Sequence, residues 1–172
     1  WIVLDKPLGI SSTQALGKVR WLLNADKCGH GGTLDPLASG VLPLAFGEAT
    51  KTVNWAMDVR KTYRFRVKWG SETSTDDLEG DITSSSSRIA LQHDIEAALP
   101  LFIGAVQQKP PSYSAIKVSG ERAYDLARAG EVVDLAARTV NIESLQIENH
   151  DPLGETMFIV QCGKGTYVRS IA

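Results

Sequence analysis

Lys61-Thr62-Tyr63-Arg64-Phe65-Arg66-Val67-Lys68-Trp69 is the stretch that decides the architecture of this chain. Tyr63, Phe65, Val67 and Trp69 fall on one side of an extended backbone, and Arg64, Arg66 and Lys68 on the other. That strict period of two is the mark of a strand with one apolar face. Such a strand belongs to a half-buried sheet, packed on a core on one side and basic on the other. The basic face is either an ordinary solvated surface or a contact surface for a polyanion. Tyr63 opens the apolar row, which suits a sheet end where the ring packs and the hydroxyl stays free.

Towards the N-terminus, Ile2-Val3-Leu4 before Lys6-Pro7-Leu8-Gly9 predicts a short strand and a turn, and Ser11-Ser12 caps a helix running to about Leu23. Asn24 to Asp35 reads as loop. Val41 to Phe46 is an apolar strand whose Pro43 argues for an edge or irregular position, and Ala49 to Met57 reads as helix. Gly70 to Ser87 is polar and turn-rich, a surface loop. Helices over about Leu91–Leu99 and Ala123–Arg128, strands near Ile142–Glu148 and Met157–Cys162, and a helix starting after Arg169 complete the pattern. The fold class is α+β, with a mixed, largely antiparallel sheet flanked by helices.

The 172 residues, 43% of them hydrophobic, suffice for one substantial core. No apolar run reaches the ~20 residues of a membrane helix, and Trp1-Ile2-Val3-Leu4 is too short for a secretory signal. The chain starts on Trp, so an upstream segment is expected to be missing. Cys28 and Cys162 lack partners at metal-ligand spacing, so no metal site is expected; reduced thiols and a cytoplasmic location are. Net charge is -2, but residues 1–70 hold 10 Lys and Arg against 5 acids, and residues 71–172 hold 8 against 15. A basic half can dock phosphates in an acidic chain, or the asymmetry merely aids solubility.

A second stretch carries the chemistry: Gly29-His30-Gly31-Gly32-Thr33-Leu34-Asp35-Pro36-Leu37-Ala38-Ser39-Gly40. Three glycines allow close approach of the backbone, and Pro36 pushes Asp35 out of the helical region. This is either an aimed carboxylate or ordinary turn chemistry.

His30 to Gly40 resembles the catalytic motif of the TruB family of pseudouridine synthases. Leu4-Asp5-Lys6-Pro7 is similar to the family's opening lysine-proline motif, and Lys61-Thr62-Tyr63-Arg64 to its tyrosine strand. Pro111-Ser112-Tyr113-Ser114-Ala115-Ile116-Lys117 resembles its central insertion, and Lys164-Gly165-Thr166-Tyr167-Val168-Arg169 its arginine motif. Five motifs occur in order over nearly the whole chain, and Pro36-Leu37-Ala38 resembles the bacterial enzymes that modify uridine 55 of tRNA. Gly31 stands where many bacterial members have Thr, and Ser74 where an Asp is frequent; neither departure is expected to touch the chemistry. The resemblance implies a catalytic domain over residues 1–172, incomplete at its C-terminus, with an RNA-contacting insertion at about 103–130 and without the PUA-type domain.

It also implies roles. Asp35 is the catalytic carboxylate, acting at C1′ or C6 or by starting a glycal pathway. Arg169 is the cation that keeps it ionised where desolvation alone would raise its pKa. Tyr63 lies against the flipped uracil and takes the proton released in the rearrangement, Tyr167 lines the uridine pocket, and His30 fills the space the base vacates. Lys6, Tyr113 and Lys117, with Arg122 and Arg128, contact the tRNA arm. Lys6-Pro7 alternatively only ends the first strand and orients the catalytic loop. No cofactor or metal is implied; the partner is the T-arm stem-loop of tRNA, with no membrane and no protein partner, and a monomer is expected. A glycosidase would need a second motif-embedded acid facing Asp35, and Gly163-Lys164-Gly165-Thr166 lacks the spacing of a phosphate-binding loop. A non-catalytic RNA-binding module is the remaining competitor.

Overall fold

The computed structural model describes residues 1–118, 120–131 and 133–172. Ser119, inside the expected insertion, lies outside the described residues. The chain divides into two compact units, Trp1–Val59 and Arg60–Ala172, each with its own main sheet. The expected α+β class holds, and every strand pairing among the described residues is antiparallel.

In the first unit, β1 (Ile2–Lys6), β2 (Cys28–His30) and β3 (Gly40–Phe46) form a sheet of order β1-β3-β2. Helix α1 (Ser12–Leu22) starts at Ser11, whose hydroxyl accepts the Gln14 N–H while the Gln14 side chain accepts the Ser11 N–H. Its buried Ala15 and Leu16 pack on Leu42 and Leu44 of β3. Two expectations need correcting. Of the two positions expected for Pro43, the edge fails, since it is on the central strand: its carbonyl accepts from Gly31, just past the end of β2. Its missing N–H therefore falls where that ladder has stopped. Within the expected loop, Cys28–His30 pairs with Phe46–Leu44, a strand too short to show a period. A 3-10 turn over Gly47–Thr52 precedes α2 (Val53–Met57), so only the second half of the expected helix is α-helical.

In the second unit, β4 (Lys61–Lys68), β7 (Gly104–Gln108), β10 (Arg138–Asp151) and β11 (Glu155–Cys162) form a sheet of order β4-β11-β10-β7. Phe158, Val160 and Cys162 of β11, Val140, Ile142 and Leu145 of β10, and Val67 of β4 build the core with Ile95 of α3 (Gln92–Ala98). Phe65 stacks on Phe158 at 5.3 Å between centroids. In β10 the apolar spacing slips from Ile142 to Leu145, and a register shift between Ile142 and Ser144 absorbs it. The extra residue of such a bulge returns the following side chains to the core face.

The expected surface loop after Gly70 contains a hairpin of β5 (Ser71–Thr73) and β6 (Ile82–Ser85). Two-residue strands β8 (Lys117–Val118) and β9 (Glu121–Arg122) lead to α4 (Ala123–Arg128). Because β7 is an edge strand of the sheet, the segment that leaves the sheet starts at Lys109. After Arg169 the backbone makes turns, not the expected helix. Among the described residues no helix is long and apolar enough to cross a membrane.

The basic face of β4 is not an open cationic surface. Residues 1–59 carry five lysines and arginines and five acids, so the excess in the first 70 residues lies wholly in Arg60, Lys61, Arg64, Arg66 and Lys68. Arg60 pairs with Glu143 at 2.6 Å, Arg64 with Glu148 at 2.5 Å and Arg66 with Glu155 at 3.2 Å. Each exposed pair contributes only about 0–1 kcal/mol, but together they offset much of the charge that the sequence places on one side of the strand.

Candidate active site

In the first unit, the segment around Asp35 is held on both flanks. Leu34 donates its N–H to the Ser12 hydroxyl at 2.8 Å, and that hydroxyl donates to the Leu34 carbonyl at 3.1 Å. On the other side, the Gly9 N–H donates to the Pro36 carbonyl at 2.8 Å. The Asp35 carbonyl accepts the Ala38 N–H at 3.0 Å, closing a turn, and Gly32 and Gly40 take φ of 138° and 121°, which glycine adopts without strain. Ser12 is buried at 1% exposure, so water does not readily replace its hydroxyl. The sequence places a carboxylate in a shaped loop; the structure ties that loop to the turn between β1 and α1.

Lys6 belongs to the same construction. It is fully buried, and its ammonium donates to the carbonyls of Pro7 at 2.9 Å and Ile10 at 2.7 Å. Burial lowers its pKa, and the Asp35 charge works against that shift. A lysine so enclosed presents no ammonium to a phosphate, which corrects its expected RNA contact and favours the alternative of a residue orienting the loop. His30, the last residue of β2, is half-buried. Its Nδ1 donates to the Gly32 carbonyl; a carbonyl only accepts, so Nδ1 carries the hydrogen.

In the second unit, Tyr63 is opposite Val160 and packs half-buried against the core. Arg169 is 12% exposed, donates to the carbonyls of Thr75 and Tyr113 at 3.0 Å each, and lies 3.7 Å from Asp77. Asp77 is itself held, accepting from the Thr75 hydroxyl at 2.6 Å and the Glu79 N–H at 2.9 Å. The loop after Ser74 is therefore part of the arginine's seat, through Thr75 and Asp77. Asp76, at φ 57°, has a raised carboxyl pKa: burial is the main cause, Asp77 and Glu72 add to it and Arg169 opposes it.

Tyr167 has its ring 5.1 Å beneath the Arg138 guanidinium. Tyr113 meets Tyr124 edge to face at 6.1 Å, and Arg128 covers the Tyr124 ring at 4.7 Å. Lys117 is exposed on β8 opposite Arg122. Thus Lys6 feels the Asp35 charge in the first unit, where His30 bonds the Gly32 carbonyl, and Arg169 meets the Tyr113 backbone in the second. Sequence reading missed Ser12, Asp77 and Gln108. Ser12 was visible only as a helix start, and Asp77 only as one acid in a polar loop.

The model of the TruB family pseudouridylate synthase N-terminal domain matches residues 20–168. The chain is 57% identical over all 172 residues to tRNA pseudouridine synthase B of Chelativorans sp. (strain BNC1), covering 55% of that protein. It is also 57% identical to the same-named protein of Mesorhizobium japonicum, covering 53% of it. The chain thus spans about half the length of the curated relatives it matches. Among solved structures, the crystal structure of a Cbf5-Nop10-Gar1 complex is similar over 99% of this chain and 41% of that one, with TM-score 0.69 and 29% identity. A structure of an H/ACA RNP bound to a substrate RNA containing 2'-deoxyuridine gives TM-score 0.66 and 25% identity, covering 99% of this chain and 39% of that one. With the family model matching most of its length, this chain belongs to the TruB family of pseudouridylate synthases.

Proposed function

We propose that the protein isomerises uridine to pseudouridine in the T-arm of tRNA, at the position expected from the resemblance, uridine 55. The observation that carries the reading is the loop of Asp35, fastened at Leu34 by Ser12 and at Pro36 by Gly9, in a member of this family. A carboxylate fixed on both sides is pre-positioned, so little geometric freedom is lost on reaching the transition state.

In the reaction the N1–C1′ bond breaks, the uracil turns and a C5–C1′ bond forms; the C5 proton is lost and N1 ends protonated, so no oxidant or reductant is consumed. Asp35 is the acting carboxylate, by attack at C1′ or C6 or through the glycal route. Arg169 supplies the cation that keeps a desolvated carboxylate ionised. Tyr63 supports the flipped uracil and serves as the proton acceptor, Tyr167 lines the pocket, and His30 occupies the space the base leaves. With Nδ1 committed to Gly32, the histidine ring is held in one orientation. Tyr113, Lys117, Arg122 and Arg128 contact the RNA arm, and Lys117, Arg122 and Arg128 are all exposed cations.

The test incubates the full-length protein and its Asp35→Asn variant with a T-arm hairpin and maps pseudouridine at single-nucleotide resolution. Product from the parent alone, with hairpin binding kept by the variant, is the expected result. No product from the parent would leave only RNA binding and refute the isomerase reading.

A further inference from the structure

We infer that Gln108 is a positioning residue for the arginine motif, acting through the backbone of Tyr167; the inference rests on the isomerase reading above. Gln108 ends β7 and is 6% exposed. Its Nε2 donates to the Tyr167 carbonyl at 2.9 Å, and its Oε1 accepts the Tyr167 N–H at 2.8 Å. A carboxamide offers a donor and an acceptor side by side, matching the N–H and C=O that one residue of an antiparallel strand presents to its partner. Tyr167 lies beyond Cys162, where β11 ends. Gln108 thus supplies as a side chain the strand partner that the sheet no longer provides.

The surrounding contacts converge on the same segment. Arg138 donates to the Gly165 carbonyl at 2.8 Å and covers the Tyr167 ring, and the Ser170 hydroxyl donates to the Lys109 carbonyl at 2.9 Å. Gln108 differs from these in being almost wholly buried and in satisfying both backbone groups of one residue. Water can stand in for an exposed donor, but not readily at a site closed to solvent. Arg169 is two residues from Tyr167, about 7 Å of extended chain at most, so a shift of the Tyr167 peptide displaces both the pocket ring and the guanidinium.

Two substitutions separate positioning from packing. Gln108→Met keeps an unbranched side chain of comparable length and removes both polar ends. Gln108→Glu keeps the shape, but its carboxylate sets a second acceptor against the Tyr167 carbonyl. Once protonated, the carboxyl regains a donor beside an acceptor, and burial raises its pKa toward neutrality. Gln108→Glu is therefore a pH-reversible version of the lesion.

The experiment uses the full-length protein, with folding verified by circular dichroism at the assay temperature. It reads single-turnover pseudouridine formation, T-arm hairpin affinity and amide exchange at Tyr167. Near neutral pH both variants should lose about tenfold to a hundredfold in rate, the scale of a misplaced reacting group. Affinity, set chiefly by phosphate contacts, should stay within about twofold, and the Tyr167 amide should exchange faster. The Gln108→Glu rate, relative to the parent, should recover as pH falls toward ~5, whereas Gln108→Met should not. Rates within about twofold of the parent, rate and affinity falling together, or no recovery of Gln108→Glu each overturn the proposal. If the parent makes no pseudouridine, the isomerase reading fails by itself. Tyr167 exchange then still decides, because unchanged exchange in Gln108→Met overturns the positioning role.

Discussion

Replacing Ser12 by alanine removes one oxygen and leaves the rest of the α1 start intact. Ser12 is the first helical residue, and the cap is made by Ser11 and Gln14, so helix propensity, if anything, improves. What is lost is the pair of hydrogen bonds to Leu34. At ~1 kcal/mol each they sum to about 2 kcal/mol. Leu34 is only half-buried, so water recovers a part, leaving an expected loss of about 1–2 kcal/mol. For a protein of this size that corresponds to a fall of about 2–8 °C in the melting midpoint. The effect on turnover should be larger than the effect on folding, because Asp35 follows Leu34 directly. A displacement of about 1 Å at a reacting group costs up to ~10²-fold, and a loss of tenfold or more is expected. Urea unfolding and single-turnover pseudouridine formation in the full-length protein measure the two quantities, with the rate taken where both forms are folded. A rate within about twofold of the parent, whatever the change in stability, refutes the reasoning that this clamp aims Asp35.

Arg169→Lys should reduce turnover by about tenfold or more, because an ammonium does not reproduce the planar fork that reaches the Thr75 and Tyr113 carbonyls together; single-turnover kinetics measure the loss. Asp76→Asn should raise the melting midpoint near neutral pH. The Asp76 carboxyl has a raised folded pKa, so its ionised form costs stability above that pKa and costs nothing once both folded and unfolded states are protonated. The gain over the parent should therefore shrink as pH falls from the raised pKa to the unfolded value, as thermal melts across that range would show. Lys117→Glu should weaken hairpin binding and flatten its salt dependence, whereas Arg64→Gln should change neither much, since Arg64 already faces Glu148. Equal losses from the two, in binding titrations at several salt concentrations, would place RNA on the sheet face instead.

The alternation of Tyr63, Phe65, Val67 and Trp69 was legible because side-chain direction in a strand depends only on position along the chain. The same alternation left the role of the other face open, because the glutamate partners of Arg64 and Arg66 lie more than 80 residues further along. Pro43 left an edge and an irregular position both open, since a missing N–H argues for an edge unless the neighbouring strand has already ended. In β10 the bulge between Ile142 and Ser144 blurred the period that a regular strand would show.

The α+β class, the helix start at Ser11, the glycine- and proline-shaped loop of Asp35 and the ordered motifs of the TruB family are legible in the residues alone. All of these are written in residues adjacent to or within a few positions of one another, where backbone sterics and side-chain period act locally. What holds the motifs emerges with the fold: Ser12 against Leu34 across 22 residues, Gln108 against Tyr167 across 59, and Arg169 against Thr75 across 94. The fold also turned Lys6 from an expected phosphate contact into a buried support of the loop. Such contacts join polar side chains to backbone groups, and every residue presents nearly the same backbone N–H and C=O. The partner thus leaves no mark in its own residue type, and only folding reveals which carbonyl a serine, glutamine, lysine or arginine has found.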